Sequence, residues 1–298
     1  MISFLTLRQK IFLGIIAILF LLNIFAWQEV IVLAGPQYLK VNFLDVGQGD
    51  SIFIQTPDRH QILIDGGPDS LVLGKLQKSM PLWDRSLNVV ILTHPDSDHL
   101  AGLLYVLQKY KIDYFVWTGI VRDGQQYQKL VELLQLAQKR GTKIIQSQLG
   151  QKIMSGGVVI STLNPIEAIE GKYFKDSSNE SGIVSYLSFG KNSFLFTADI
   201  GLKTEKMLIS NSSNLNAEVL KVGHHGSKYS TSEEFLQAVS PNLAVISVGK
   251  DNFYGHPTQE VLQRLQKFGI NIFRTDEVGT IEMLSDGNTI TLNHEMPK

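Results

Sequence analysis

One feature constrains the possible fold and chemistry of this chain more than any other. It is an apolar segment that leads directly into a cluster of histidine and aspartate residues. Residues 89–92 read Val-Val-Ile-Leu, and four side chains that can bind a metal follow: His94, Asp96, Asp98 and His99. Such a run predicts a buried strand, and α/β folds place their chemistry in loops at the carboxyl ends of strands. Imidazole and carboxylate groups together suit zinc, manganese or iron. The competing interpretation is a solvated loop in which Asp98 caps a helix beginning near Leu100, but a cap does not require this density of ligands.

The composition narrows the chemistry further. The chain of 298 residues has no cysteine, which excludes disulfides, zinc ribbons, Fe–S clusters and thiol nucleophiles. Any metal must therefore be held by His, Asp or Glu. Lys plus Arg number 27 and Asp plus Glu number 28, so the charge balance disfavours a protein that coats DNA along an extended basic surface.

The N-terminal segment predicts a helix that inserts into a membrane. Residues 11–27 form an apolar run broken only by Asn23 and preceded by Arg8 and Lys10. A positive flank before such a run fits both an uncleaved anchor and a secretory signal peptide, and we favour the anchor over the signal peptide and over a buried core helix. Residues 1–36 are therefore expected to be the anchor or signal peptide. The remainder would lie outside the cytoplasm, either tethered to the cell membrane by a single span or secreted after cleavage.

From residue 38 onward, short β segments give way to alternating strands and helices. Residues 38–44, 51–55 and 61–64 predict an antiparallel meander. Strand and helix signals then alternate in two sets, and Asp286-Gly287 predicts the turn of a terminal hairpin. This order predicts an α/β domain in which two sheets are sandwiched between outer helices.

Several further motifs resemble those of the metallo-β-lactamase fold superfamily, whose signature is His-x-His-x-Asp-His. They are residues 44–51 (LDVGQGDS), 62–67 (ILIDGG), 194–199 (FLFTAD), 220–227 (LKVGHHGS) and 254–257 (YGHP). The resemblance spans residues 38–292 and is nearer to ComEC-type competence proteins, in which Asp often replaces the second His. It implies an αββα sandwich of two mixed sheets flanked by helices, with residues 37–298 forming the hydrolase domain. It also implies one or two divalent ions, zinc or manganese.

The resemblance assigns roles to residues outside the first cluster. Asp199 would be the carboxylate that bridges two metals, and one histidine of the His224-His225 pair would be a ligand on the far side, with His224 ranked first because it lies nearer the strand end. Within the first cluster, Asp98 is expected to orient the hydrolytic water that a bound metal would activate. His256 would donate to a substrate oxygen, with a plain surface role equally open. The carboxylates expected to support the ligands from behind are Asp45, Asp50 and Asp65.

The first cluster and the bridging carboxylate are separated by a stretch that lacks an expected ligand. No histidine occurs from residue 100 to 223, where many members of the superfamily supply another one, and Asn179 lies where the ComEC branch tends to carry Asn. The loss predicts a single ion or a labile second ion. Four side chains are expected to bind substrate, with Lys250 as a further candidate: Asn179, Lys221, Ser227 and Lys228.

Together these patterns predict a metal-dependent hydrolase. The leading hypothesis is a phosphodiesterase or nuclease that acts on DNA outside the cytoplasmic membrane during competence, with a DNA-uptake channel as partner. The near-neutral charge predicts weak, salt-sensitive binding of long DNA. Two alternatives stay open. One is hydrolysis of a small ester, thioester or lactam, and the other is a membrane-anchored DNA-binding or scaffold subunit with an inactive site.

Overall fold

The computed structural model describes residues 6–34, 38–81, 83–174, 178–211 and 214–294. It divides the chain into two compact units, residues 1–37 and 38–298. In the first unit, helix α1 (Leu7–Ala34) extends beyond both ends of the predicted run 11–27, because the flanking residues are compatible with a helix. Its portion Leu7–Trp27 is long and apolar enough to cross a membrane, a property that signal sequences share.

The second unit alternates strands and helices. Its strands are β1 (Leu39–Phe43), β2 (Ile52–Gln55), β3 (Gln61–Ile64), β4 (Ser86–Ile91), β5 (Lys111–Trp117), β6 (Lys143–Gln146), β7 (Lys152–Ser155), β8 (Val158–Asn164), β9 (Val184–Phe189), β10 (Asn192–Phe196), β11 (Val219–Lys221), β12 (Leu243–Ile246), β13 (Asn271–Arg274), β14 (Ile281–Ser285) and β15 (Ile290–His294). Its helices are α2 (Leu71–Ser79), α3 (Ser97–Lys109), α4 (Gln125–Lys139), α5 (Leu202–Asn211), α6 (Glu233–Val239), α7 (Gln259–Lys267) and α8 (Thr275–Val278), with short turns at Asn179–Ser181 and Gly223–Gly226.

The described strands form two mixed sheets, which confirms the predicted fold class. The first sheet has the order β15-β14-β1-β2-β3-β4-β5-β6, and the second has the order β13-β12-β11-β10-β9-β8-β7. Strands β1 to β3 pair antiparallel as the predicted meander, and β14 pairs with β15 as the predicted hairpin. Strands β3 to β6 and β10 to β13 pair parallel.

Three apolar layers hold the sheets and helices together. Between the two sheets, the Phe43 and Phe196 rings pack with their centroids 6.1 Å apart. Helices α2, α3 and α4 cover the first sheet through contacts such as those in the cluster that contains Phe53 and Leu103. A third cluster joins β11 and β12 to α6 and α7. The result is the predicted helix, sheet, sheet, helix order.

The parallel strands bring the polar loops to one edge of the sandwich. The loops that follow β3, β4, β10, β11 and β12 carry Asp65, residues 93–96, Asp199, residues 223–226 and Ser247. Side chains from both sheets meet at this edge. Open α/β sheets place their ligands outside the carboxyl ends of the strands in the same way.

Helix α3 begins earlier than the predicted start at Leu100. Its first residue is Ser97, and Asp96, not Asp98, occupies the N-cap position with extended backbone. The backbone N–H groups of His99 and Leu100 already donate to the Asp96 carbonyl oxygen. Asp98 and His99 therefore project from the first turn of a helix, and not from a loop.

Candidate metal centre

Four side chains from the two sheets converge at this edge. Asp98 and His99 come from α3, Asp199 follows β10, and His225 follows β11. One ligand atom from each lies within 4.8 Å of the others. His225 Nε2 is 3.1 Å from Asp98 Oδ2 and 3.4 Å from Asp199 Oδ2, and His99 Nε2 is 3.4 Å from the same Asp199 oxygen. Two imidazole nitrogens and two carboxylates form a donor set that suits zinc or manganese.

Hydrogen bonds behind the two rings orient them toward this point. His99 Nδ1 is 2.8 Å from Asp65 Oδ2, and His225 Nδ1 is 2.8 Å from the Ser247 carbonyl oxygen. Because a carbonyl oxygen only accepts, His225 Nδ1 carries the hydrogen, and the neutral ring offers a lone pair at Nε2. Partners of this kind set the tautomer of metal-binding histidines. Thr93 holds Asp65 in turn, since its backbone N–H and its hydroxyl donate to the carboxylate at 2.8 and 2.6 Å.

The charges of the cluster are strongly interdependent. Burial by itself raises the pKa of Asp199, but the His225 and His99 rings bring that pKa well below its usual value. Burial lowers the pKa of His99 and of His225, yet Asp199 and the other carboxylates raise the pKa of each ring well above its ordinary value. A bound cation would therefore compete with protons on both rings. His94 differs, because burial and the neighbouring His99 lower its pKa to about 3, which leaves a neutral ring at physiological pH.

His94 and Asp96 form a second pair of donors beside the cluster. His94 Nε2 is 3.8 Å from Asp96 Oδ2, a separation that one ion bound to both atoms can span. The other Asp96 oxygen contacts the Arg122 guanidinium and the Ser178 hydroxyl. Sequence reasoning assigned no role to Arg122 or Ser178, because both reach Asp96 from distant segments of the chain. Their contacts hold Asp96 with Oδ2 turned toward His94.

The donor atoms of this centre fit a divalent metal. Among the buried side-chain atoms that lack a hydrogen-bond partner in the described part of the chain are His94 Nε2 and Asp199 Oδ1. Leaving a buried polar atom unsatisfied costs about 1–3 kcal/mol, so such atoms call for a physical reason. Both atoms are metal donors at the same edge of the fold, and a cation would satisfy them. Asp199 and His94 would then be among the residues that hold the cation.

The structure reverses the expected order of the two adjacent histidines. His225, not His224, turns its ring into the cluster and is buried. His224 keeps a third of its side chain exposed, with Nε2 3.8 Å from Asp199 Oδ2 and the ring 3.4 Å from Asn179 Nδ2. Both histidines have left-handed backbone, at φ 48° and 53°, so the chain turns sharply after β11. Nearness to the strand end therefore does not predict which ring points inward.

Lys221 is buried and is not available to bind substrate, contrary to the prediction. It is the last residue of β11, only 1% of its side chain is exposed, and its ammonium group pairs with the Asp50 carboxylate. Burial alone raises the pKa of Asp50, but Lys221 and His225 bring that pKa below its usual value. Asp50 Oδ1 is 3.4 Å from His225 Nδ1, so this carboxylate does lie behind the ligand cluster.

Asp45 does not support the ligands. Its side chain is partly exposed, accepts a hydrogen bond from the Gly47 backbone N–H at 3.4 Å, and lies 3.5 Å from the Lys75 ammonium group. These contacts shape the loop after β1 on the surface. The expectation failed because the aspartates of a glycine-rich turn serve the turn itself as readily as a neighbouring site.

The remaining predicted residues differ in their exposure and in their contacts with the centre. The His256 and His224 rings meet edge to face with centroids 5.7 Å apart, and Asn179 lies against His224. Lys228 is exposed, with its ammonium group 5.2 Å from the Tyr229 ring centroid. Ser227 is buried, and its hydroxyl accepts a hydrogen bond from the Tyr229 backbone N–H at 3.4 Å. Burial makes a direct contact between Ser227 and substrate untenable, whereas the other side chains are accessible.

Ser247 is a further residue that sequence reasoning missed. Its backbone carbonyl orients His225, and it directly follows the buried strand β12. The position of Ser247 after a buried strand did indicate that it lies near the centre, because β12 lies next to β11 and the ends of parallel strands meet at one edge. Its role could not be inferred from its residue type, because any residue can supply a backbone carbonyl.

Sequence comparisons show what this chain is similar to. Residues 44–145 match the model of the metallo-beta-lactamase superfamily. The chain is 34% identical over 267 residues to ComE operon protein 3 of Bacillus subtilis, covering 82% of this chain and 32% of that protein. It is 31% identical over 243 residues to Competence protein ComA of Neisseria gonorrhoeae, covering 81% of this chain and 32% of that protein. The chain thus spans about a third of the length of these relatives.

Solved structures show the same fold at low sequence identity. The metallo-beta-lactamase fold protein YhfI from Bacillus subtilis is 16% identical and superposes with a TM-score of 0.55, covering 83% of this chain and 100% of its own. Igni18, a metallo hydrolase from Ignicoccus hospitalis, is 15% identical with a TM-score of 0.51, covering 82% of this chain and 98% of its own. This likeness concerns the fold, and it confirms the αββα sandwich.

Proposed function

Because this chain carries a metallo-β-lactamase superfamily domain and is related to ComEC-type competence proteins, we propose that it is a metal-dependent hydrolase that cleaves phosphodiester bonds in DNA. The observation that carries the proposal is the convergence of Asp98, His99, Asp199 and His225, with both rings oriented from behind. A site without catalytic use has no physical reason to keep buried carboxylates this close together. This argues against the alternative of an inactive scaffold subunit.

The protein's own groups orient the reactants. A divalent cation held by the cluster would supply a Lewis acid and lower the pKa of a bound water. The Asp98 side chain is partly exposed, so it can accept a hydrogen bond from the attacking water and aim it. His224 and His256, on the accessible rim, can donate to phosphoryl or leaving-group oxygens.

The site of action and the partner belong to the same proposal. Helix α1 would tether the domain to the cell membrane, with the hydrolase unit on the outer side. Two of the relatives are named for competence or its operon, which supports DNA as substrate and a DNA-uptake channel as partner.

The test compares substrates and matched variants of the full-length protein in detergent. After loading with zinc or manganese, we expect hydrolysis of single-stranded DNA, double-stranded DNA or bis(p-nitrophenyl) phosphate, and a rate loss on the order of 10²-fold or more in Asp98→Ala. Asp58→Ala, an exposed carboxylate in the turn between β2 and β3 at the opposite end of β3, should keep the wild-type rate. Turnover of a lactam, ester or thioester without phosphodiester cleavage would show that the substrate class is wrong. Metal binding without turnover of any substrate would favour the scaffold alternative.

The number of ions is tested by metal release under dilute chelator. We expect two steps, with the ion at His94 and Asp96 leaving first, because that site has one imidazole where the cluster has two. Arg122→Ala should lower the affinity for this ion by about 10–100-fold, since Arg122 orients Asp96. Arg140→Ala, an exposed arginine after α4, is the control. Simultaneous release of both ions, unaffected by Arg122→Ala, would contradict this assignment.

A further inference from the structure

Two aromatic side chains project from the loop beside the candidate metal centre. The loop between β12 and α7 carries Phe253, which is fully exposed, and Tyr254, which is 69% exposed. Single exposed apolar side chains are ordinary, but adjacent exposed aromatic rings are typical of surfaces that bind a partner or ligand.

Hydrogen bonds from one side chain hold this loop in shape. Asn252 Nδ2 donates to the Gly249 carbonyl oxygen at 3.0 Å and to the His256 carbonyl oxygen at 2.6 Å. The His256 backbone N–H donates in return to Asn252 Oδ1 at 3.0 Å. Phe253 and Tyr254 therefore stand at the tip of a braced loop.

A row of three rings, those of Tyr254, His256 and His224, leads from the loop to the ligand cluster. Tyr254 stacks on His256, with centroids 6.0 Å apart and planes 21° from parallel. His256 meets His224 edge to face at 5.7 Å, and His224 Nε2 is 3.8 Å from Asp199 Oδ2. A planar group stacked on this row would lie close to the metal centre.

Positive charge accompanies the rings. Tyr229 is 64% exposed and follows the His224-His225 turn, with the Lys228 ammonium group 5.2 Å from its ring centroid. Lys250 is exposed in the same loop as Phe253. Exposed rings with lysines close by in the chain can combine stacking of bases with attraction of phosphates.

We propose that Phe253, Tyr254 and Tyr229 form a base-stacking surface that selects unpaired nucleic acid strands for the metal centre. Bases in a duplex are stacked on one another, so their faces are not available to these rings. The reaction at the centre rests on the proposed function, whereas the stacking surface is a binding property that can be measured without turnover. Lys228 and Lys250 contact the flanking phosphates.

The first measurement detects stacking directly. Phe253→Trp in the full-length protein, held in chelator so that no hydrolysis occurs, should lose fluorescence when oligothymidylate is added. An abasic oligomer of equal length and charge should cause little change, and so should a blunt duplex. The same titration of the wild-type protein is the control, because it measures the fluorescence change of the native tryptophans.

The second measurement concerns the metal-loaded protein. The wild type should have a higher kcat/KM for oligothymidylate than for the abasic oligomer, and Phe253→Ala with Tyr254→Ala should reduce that ratio about tenfold, mainly through KM. Tyr254→Phe should preserve the ratio because the ring remains. Trp83→Ala, an exposed aromatic before β4 at the opposite end of that strand from the ligands, is the matched control.

The outcomes separate the two proposals. Fluorescence loss with oligothymidylate but no hydrolysis of any phosphodiester would support the stacking surface and overturn the proposed function. Hydrolysis with equal preference for abasic and base-bearing strands, and no fluorescence response, would overturn the stacking surface and leave the proposed function standing. A response of Phe253→Trp to anionic lipid vesicles alone would assign the loop to a membrane and also overturn the inference.

Discussion

The buried pair of Lys221 and Asp50 controls the charge behind the ligand cluster. The Lys221 ammonium group contacts the Asp50 carboxylate and also lies 3.4 Å from the Ala198 carbonyl oxygen, one residue before Asp199. The Asp50 backbone N–H donates to the Asp98 carbonyl oxygen at 3.1 Å. This pair therefore connects the first turn of α3, which carries Asp98, to the loop that carries Asp199. Its role is to hold the centre together, because neither charge reaches solvent.

We expect Lys221→Ala to destabilise the protein by about 3–5 kcal/mol, because it leaves Asp50 buried without its partner. Lys228→Ala, an exposed lysine nearby, should change the free energy of unfolding by no more than about 0.5 kcal/mol. Urea denaturation measures both. The double variant Asp50→Asn with Lys221→Met should recover part of the loss. Wild-type stability in Lys221→Ala, with only weaker DNA binding, would restore the phosphate-binding role that the sequence predicts.

At the scale of elements, the turn after β3 and the first turns of helix α3 fit against each other backbone to backbone. The Gly66 N–H donates to the His99 carbonyl oxygen at 2.8 Å, and the Gly102 N–H donates to the Gly67 carbonyl oxygen at 2.9 Å. A Cβ atom on Gly102 would lie 1.8 Å from the Gly66 oxygen. The glycines at the end of the ILIDGG motif thus let α3 approach closely enough for Asp65 to reach His99.

Alanine substitutions in two helices test this contact. Gly102→Ala should cost about 1–3 kcal/mol or more, because the backbone atoms that it meets cannot move aside, and it should also weaken metal binding by displacing His99. Gly74→Ala in α2 has no atom within 4 Å of the new Cβ and should stabilise by about 0.5–1 kcal/mol. Thermal unfolding and metal content distinguish the two. Equal stability of both variants would mean that α3 does not approach the turn this closely.

At the scale of the whole molecule, the chain consists of two units with different physical character. Residues 7–27 present apolar side chains to the surroundings on every face of α1. Residues 38–298 contain all three apolar layers and every member of the candidate centre. The second unit therefore has the apolar core that an independently folding domain requires.

We expect residues 38–298, expressed alone, to be soluble and folded, and to bind the same number of ions as the full-length protein. The full-length protein should instead require detergent, because α1 exposes its apolar residues. Sedimentation, circular dichroism and metal content check the fragment. Aggregation of the fragment that is relieved only when residues 1–37 are present would show that α1 belongs to the core.

The sequence by itself determined the features that depend on local chemistry. Alternating strand and helix patterns predicted the layered fold, because periodicity follows from which face of an element is buried. The meander, the terminal hairpin and the placement of Asp98, His99 and Asp199 after strands were predicted for the same reason. Strands β6, β7 and β13 and helices α2 and α8 were missed, because these segments are too short to show a clear apolar period.

Only the tertiary structure decided which side chains face one another. The choice of His225 over His224 depends on two left-handed residues in a turn, and the burial of Lys221 depends on a carboxylate far away in the chain. Arg122 and Ser247 act through contacts that no local pattern encodes. Residue type and spacing determine what a side chain can do, but its direction is set by the backbone and by neighbours that the fold brings from elsewhere in the chain.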